Sequence, residues 1–186
     1  MAIVKLRQYS LSIGELVIES AQIKDSKEII TFIKQVESET KFLMREIGEY
    51  NKSVEDEIIF IENKRKSAKD VFLVAKVNGK VVGTLGFNTS PYSRYKHKGQ
   101  FGISISEEFW NYGIGYNLID TLINWADKEG FVKISLEVDS DNSRAINLYN
   151  KFKFVQEGIL KYDKYLENGM YVDSIIMGRI KNENLL

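Results

Sequence analysis

One stretch, Gly99 to Tyr149, constrains the fold of this chain more than any other. Its opening run, Gln100-Phe101-Gly102-Ile103-Ser104-Ile105-Ser106, alternates as a half-buried strand does. A glycine turn follows, Glu107-Glu108-Phe109-Trp110-Asn111-Tyr112-Gly113-Ile114-Gly115-Tyr116. Beyond it Leu118, Ile119, Leu122, Ile123, Trp125 and Ala126 recur at helical spacing and give one apolar face. Val132–Val138 reads as a second strand, and Asn142 to Phe152 as a short helix. Strand, glycine turn, helix, strand is a crossover unit.

The turn is the first functional clue. The first N–H groups of a helix lack intrahelical partners, and the helix dipole adds partial positive charge there. Glycine lets the main chain approach an anion and adopt positive φ. Gly113 and Gly115 at a helix start therefore suit a pyrophosphate, while a plain strand-to-helix turn needs no ligand at all. The neighbours narrow the choice. A dinucleotide fingerprint wants Gly or Ala where Leu118 stands, and the lysine of a P-loop is missing.

The segment Trp110 to Gly115 resembles motif A of the GNAT N-acetyltransferases, written Q/R-x-x-G-x-G/A, with Trp110 in place of the usual Gln or Arg. Leu136-Glu137-Val138, Asn142-Ser143-Arg144-Ala145-Ile146-Asn147-Leu148-Tyr149 and Phe154-Val155-Gln156-Glu157-Gly158 resemble motif B, with Lys153 where a glycine is usual. The resemblance runs well from Val71 to Gly178 and loosely before it. It implies an α/β (α+β) fold in which a mixed, mostly antiparallel sheet, splayed at its centre, is flanked by helices. It further implies acetyl-CoA as cofactor and acetyl transfer to a primary amine by direct attack.

Site residues follow from the same resemblance. The backbone of Ile103, Ser104 and Ile105 would pair with the pantetheine arm and hold the acetyl oxygen, or else make ordinary ladder bonds. Asn111, Tyr112, Gly113, Ile114, Gly115 and Tyr116 would cradle the pyrophosphate. Tyr149 would be the general acid for the departing thiolate, although on pattern alone it lies on the apolar stripe Ala145, Leu148, Tyr149, Phe152. Asn142 would bond the cofactor or merely cap its helix. Ala145 and Lys151 complete the cofactor set, with Arg144 a further phosphate candidate. Glu107 is the candidate general base; Glu108, Glu137, Glu37, Glu39, His97 and a water relay are the alternatives. A catalytically silent CoA-binding module remains the contrasting class, and a homodimer is expected from the family habit of pairing C-terminal strands such as Tyr171–Ile180.

The rest of the chain fits one domain over residues 1–186. Met1 to Ser20 reads as one or two strands around Ser12-Ile13-Gly14. Asp25-Ser26 opens a helix bearing Ile29, Ile30, Ile33 and Val36, and Ser53 with Asp56 forms a capping pattern for the next. Val71–Val77, Asn78-Gly79 and Lys80–Phe87 form a hairpin with a type I′ signal. Two strands follow, Val155 to Tyr162 and Tyr171 to Ile180, around Asn168-Gly169.

Composition removes several classes. With 26 basic and 26 acidic residues the chain is neutral, which argues against a dedicated nucleic-acid or anionic-membrane binder. No cysteine and a single histidine exclude thiolate chemistry, disulfides and a histidine-rich metal centre. No apolar run approaches a membrane span and no signal layout opens the chain, so a cytoplasmic location is expected. Between Asp25 and Glu62 ten acidic residues face five basic ones. In GNAT folds these helices wall the acceptor side, so a cationic acceptor is expected: a polyamine, amino sugar, amino acid or peptide amine.

Overall fold

The computed structural model describes residues 2–166 and 168–181; Met1, where the first strand reading begins, lies outside them. They form two compact units, 2–88 with 103–125 and 89–102 with 126–166 and 168–181.

In the first unit β1 (Arg7–Leu11), β2 (Gly14–Ser20), β3 (Val71–Val77) and β4 (Lys80–Thr89) pair antiparallel in that order. The Asn78-Gly79 turn has φ of 49° and 86°, the positive pair a type I′ hairpin needs. β3 is buried at every position. Its Phe72 and Val74 share a core with Ile29, Phe32, Ile33 and Val36 of α1 (Ser26–Glu39) and Ile61 of α2 (Val54–Lys66). The capping box of α2 forms as its sequence predicts: Asp56 N–H donates to Ser53 Oγ at 3.1 Å, and Ser53 N–H to Asp56 Oδ2 at 3.1 Å. At the start of α1, Asp25 does not cap; it accepts from Gln22 N–H at 2.9 Å and from the Lys76 ammonium at 2.9 Å.

The end of β5 (Lys98–Ile105) and most of α3 (Ile114–Lys128) complete this unit. Ser106 N–H donates to Val82 O at 3.0 Å. These elements pack tightly at Gly83: a Cβ there would stand 3.3 Å from both Ser104 O and Ile105 Cγ1, and 3.4 Å from Leu118 Cδ1. Leu118, Ile119 and Leu122 are fully buried, each stabilising the unit by about 1.5–3 kcal/mol.

In the second unit β5 pairs parallel with β6 (Lys133–Asp139), from Lys98↔Lys133 to Gln100↔Ser135. The parallel register ends there, while β6 runs on to Asp139 against β8 (Tyr171–Ile180). β7 (Val155–Tyr165) pairs antiparallel with β8, so β8 lies between β6 and β7, and the sheet edge belongs to β7. Tyr171–Ile180 is thus an inner strand and cannot supply a pairing edge. α4 (Ser143–Lys151) follows β6, and the Asn168-Gly169 turn has Gly169 at φ 82°.

Candidate active site

The first unit holds the strand end and the glycine turn. Ile103, Ser104 and Ile105 are half-buried, and Ser104 Oγ lies 3.3 Å from Thr84 Oγ1. The strand is secured just past this point by the last turn of α1. Glu39 Oε1 accepts from Gln35 Nε2 at 2.6 Å and from Ser106 Oγ at 3.0 Å, and Glu39 Oε2 accepts from Glu107 N–H at 2.8 Å. Both oxygens are engaged, so Glu39 holds the strand exit. Trp110 is a second fastening: its indole N–H donates to Ile105 O at 2.8 Å. The residue that departs from the GNAT pattern therefore ties the turn back to the strand.

The turn follows. Asn111 and Gly113 sit at φ of 66° and 82°, so two left-handed residues redirect the chain into α3. Gly113 O accepts the first bond of that helix, from Asn117 N–H at 3.0 Å. A Cβ on Gly113 would meet only Asn117 Nδ2, at 3.9 Å, so that face of the turn is open to a ligand. Ile114 is buried and anchors the turn, Gly115 is buried within the first helical turn, and Asn111, Tyr112 and Tyr116 are exposed. Glu107 and Glu108 are exposed on the short 3-10 turn before Trp110. An open backbone face with left-handed geometry at a helix start fits a pyrophosphate. Gly113→Ala should cost about 1–2 kcal/mol for the left-handed backbone and weaken CoA binding, read by thermal melting and by calorimetric titration with CoA.

The second unit holds α4. Asn142 Oδ1 accepts from Ala145 N–H at 3.2 Å, so the capping role is realised. Tyr149 is 6% exposed, its ring set edge-on to Phe101 at 5.9 Å and Phe154 at 6.1 Å between centroids. Burial pushes its phenol well above the usual tyrosine value, so it stays protonated at neutral pH. Ala145 is half-buried, and Arg144 and Lys151 are exposed. Glu137 accepts from Gln100 Nε2 at 3.2 Å, and exposed His97 contributes its carbonyl to Val132 N–H at 2.9 Å.

Glu37 and Glu57 in the first unit escaped sequence reasoning as a pair. Both carboxylates are fully buried. Helical spacing carries the signal, since Glu37 follows Ile33 by four residues and Glu57 precedes Ile61 by four.

Residues 33–154 match the model of the acetyltransferase (GNAT) family. The chain therefore belongs to the GNAT family and, like its named relatives, is an acetyl-CoA-dependent N-acetyltransferase. It is 39% identical over 111 residues to the L-amino acid N-acetyltransferase AaaT of Escherichia coli K12, a match covering 59% of this chain and 67% of that one. It spans 64% and 37% of the length of two further curated relatives. A GNAT acetyltransferase from Streptococcus pneumoniae superposes with a TM-score of 0.86 at 31% identity, covering 89% of this chain and 99% of that one. An acetyltransferase from Salmonella typhimurium, solved with acetyl-CoA, superposes with a TM-score of 0.78 at 17% identity, covering 90% of this chain and 95% of that one. Among the described residues no helix is long and apolar enough to cross a membrane.

Proposed function

We propose that residues 1–186 act as one acetyltransferase domain that moves the acetyl group of acetyl-CoA to the primary amine of a small molecule, an amino acid foremost, in a ternary complex. The observation that carries this is the Asn111–Gly113 turn, whose two left-handed residues open α3 with an uncovered backbone face. The family match runs through both units, and the AaaT relative acts on L-amino acids by name.

Acetyl-CoA supplies a thioester that a free amine attacks and from which a thiolate departs. In this proposal the N–H groups of Ile103, Ser104 and Ile105 donate to the oxyanion, held by the Glu39 and Trp110 fastenings. Asn111, Tyr112, Gly113, Ile114, Gly115 and Tyr116 bind the pyrophosphate, and Asn142, Ala145 and Lys151 contribute to holding the cofactor. Tyr149, protonated because it is buried, gives its proton to the leaving sulfur. Glu107, exposed in its 3-10 turn, takes the proton of the amine directly or through water.

The protein works in the cytoplasm as a homodimer under this reading. The pairing surface is the β7 edge, where Val155, Tyr162 and Tyr165 are all exposed. The test is a thermal-shift titration with CoA and acetyl-CoA, followed by thiol release against a panel of amines and amino acids. Saturable stabilisation with amine-dependent thiol release is expected. Absence of any shift with either ligand would overturn the reading.

A further inference from the structure

Among the described residues, two buried side-chain polar atoms lack a hydrogen-bond partner: Glu37 Oε2 and Glu57 Oε1. They belong to one cluster at the facing ends of α1 and α2. Glu37 Oε1 accepts from Arg45 Nε at 2.9 Å. Glu57 Oε2 accepts from the Tyr50 hydroxyl at 2.5 Å and the Lys52 ammonium at 3.2 Å. The Arg45 guanidinium stacks 4.9 Å from the Tyr50 ring centre, and Lys52 lies 3.9 Å from that of Phe60. Burial, the bond to Glu57 and the charge of Glu37 all push the Tyr50 phenol upward, so both carboxylates act on one hydroxyl.

A buried acceptor without a donor costs about 1–3 kcal/mol, and more when charged. Here the two carboxylates that act on Tyr50 each carry one such oxygen, and each is the second oxygen of a carboxylate whose first is already anchored. Anchoring matters because it fixes where the unused lone pairs stand. The charge balance then selects the ligand. Glu37 and Glu57 are already offset by Arg45 and Lys52, so a divalent metal ion would leave the cluster strongly positive. A ligand that brings an ammonium for the two oxygens and a carboxylate for Arg45 leaves it neutral. Arg45 and Lys52 are 38% and 35% exposed at their side chains, so the cationic side of the cluster is the accessible one.

We infer that Glu37 Oε2 and Glu57 Oε1 form an ammonium site for a zwitterionic amino acid whose carboxylate is met by Arg45. This deepens the amine-acceptor reading and rests on it for the ligand's role as substrate, while binding itself can be read without turnover.

The experiment uses the full chain and three related probes: L-norleucine, n-pentylamine, which lacks the carboxylate, and hexanoate, which lacks the amine. Calorimetric titration without acetyl-CoA should show norleucine binding more tightly than pentylamine and no binding of hexanoate. In Glu37→Gln and Glu57→Gln the anchored oxygen is retained by its donor and the amide nitrogen takes the unused position. Each should weaken norleucine binding by about ten- to a hundredfold, with CoA affinity unchanged. Equal binding in wild type and both variants, equal binding of hexanoate, or no binding of norleucine would overturn the site. Should either variant fail to fold by thermal melting, a norleucine-soaked crystal of the wild-type chain decides. An ammonium nitrogen within hydrogen-bond distance of both oxygens supports the site, and water alone at both overturns it. Thiol release separates the two readings. Binding without turnover of norleucine or other amines removes the acceptor role and leaves the site, whereas turnover indifferent to both substitutions removes the site and leaves the enzyme.

Discussion

Tyr149→Phe should lower kcat by about two to four orders of magnitude and leave CoA binding little changed. The ring packs edge-on to Phe101 and Phe154, and a phenylalanine keeps those contacts, so the fold should survive with only the phenol hydroxyl removed. Burial holds the Tyr149 phenol above its ordinary value of about 10, so the group is protonated across the neutral range. Its ionisation cannot then produce a decline of kcat on the alkaline side below that value, and any such decline in the wild type belongs to another group. The sign for stability follows. The unfolded chain sheds this proton above about pH 10 while the native state retains it, so the contribution is full below that pH and is lost as pH rises through the higher native value. Kinetics of the two proteins across pH, paired with thermal melts, check both statements. A variant that keeps full kcat would remove Tyr149 from the chemistry.

Lys76→Ala is the largest expected loss of stability, about 3–5 kcal/mol, because it strips the cation from a buried ion cluster. Lys76 Nζ donates to Glu19 Oε1 at 2.8 Å and Asp25 Oδ1 at 2.9 Å, and its side chain is 10% exposed. Burial by itself lowers the pKa of this ammonium, yet the hydrogen bonds and charges of Glu19 and Asp25 outweigh it and hold the pKa above the ordinary lysine value. That contribution is complete below the unfolded lysine value of about 10.4 and disappears as pH rises through the native one. Removing the lysine leaves two carboxylates in low dielectric without compensation. Replacing Glu19, Asp25 and Lys76 together by apolar residues should cost less than Lys76→Ala alone, since no charge is then stranded. Denaturant melts of the single and triple variants measure the difference.

The crossover unit and the hairpin were legible because their signals are local. Alternation and helical spacing between Gln100 and Phe152 placed β5, β6 and α4 to within about two residues and put α3 after the glycine turn. Asn78-Gly79 and the Ser53–Asp56 box carry their geometry in the residues themselves. What stayed hidden depends on partners distant in sequence. Asp25 looks like a helix cap, but Lys76, supplied by β3, claims one of its oxygens. Glu39 stood among the candidate bases, and only the fold reveals that Ser106 and Glu107 occupy its carboxylate. Tyr171–Ile180 reads as a strand, yet edge or interior depends on strand order, which a strand-like run does not encode. The acidic excess between Asp25 and Glu62 was visible as a number, but not that three of its members, Asp25, Glu37 and Glu57, are buried.

The fastening at Glu39 separates two ways in which the N-terminal half of the chain is held. α1 ends at Glu39, tied to the exit of β5, and α2 begins at Ser53 with its own self-contained capping box. The fourteen-residue run from Thr40 to Ser53 is thus bracketed by two independent anchors. Between those anchors Arg45, Tyr50 and Lys52 tie the run to Glu37 and Glu57, so it exchanges only together with those two carboxylates. Exchanging the run and both carboxylates for those of a relative should alter which acceptor is taken while Glu39 still holds the exit of β5, so a new substrate preference calls for a joint change of loop and helix ends.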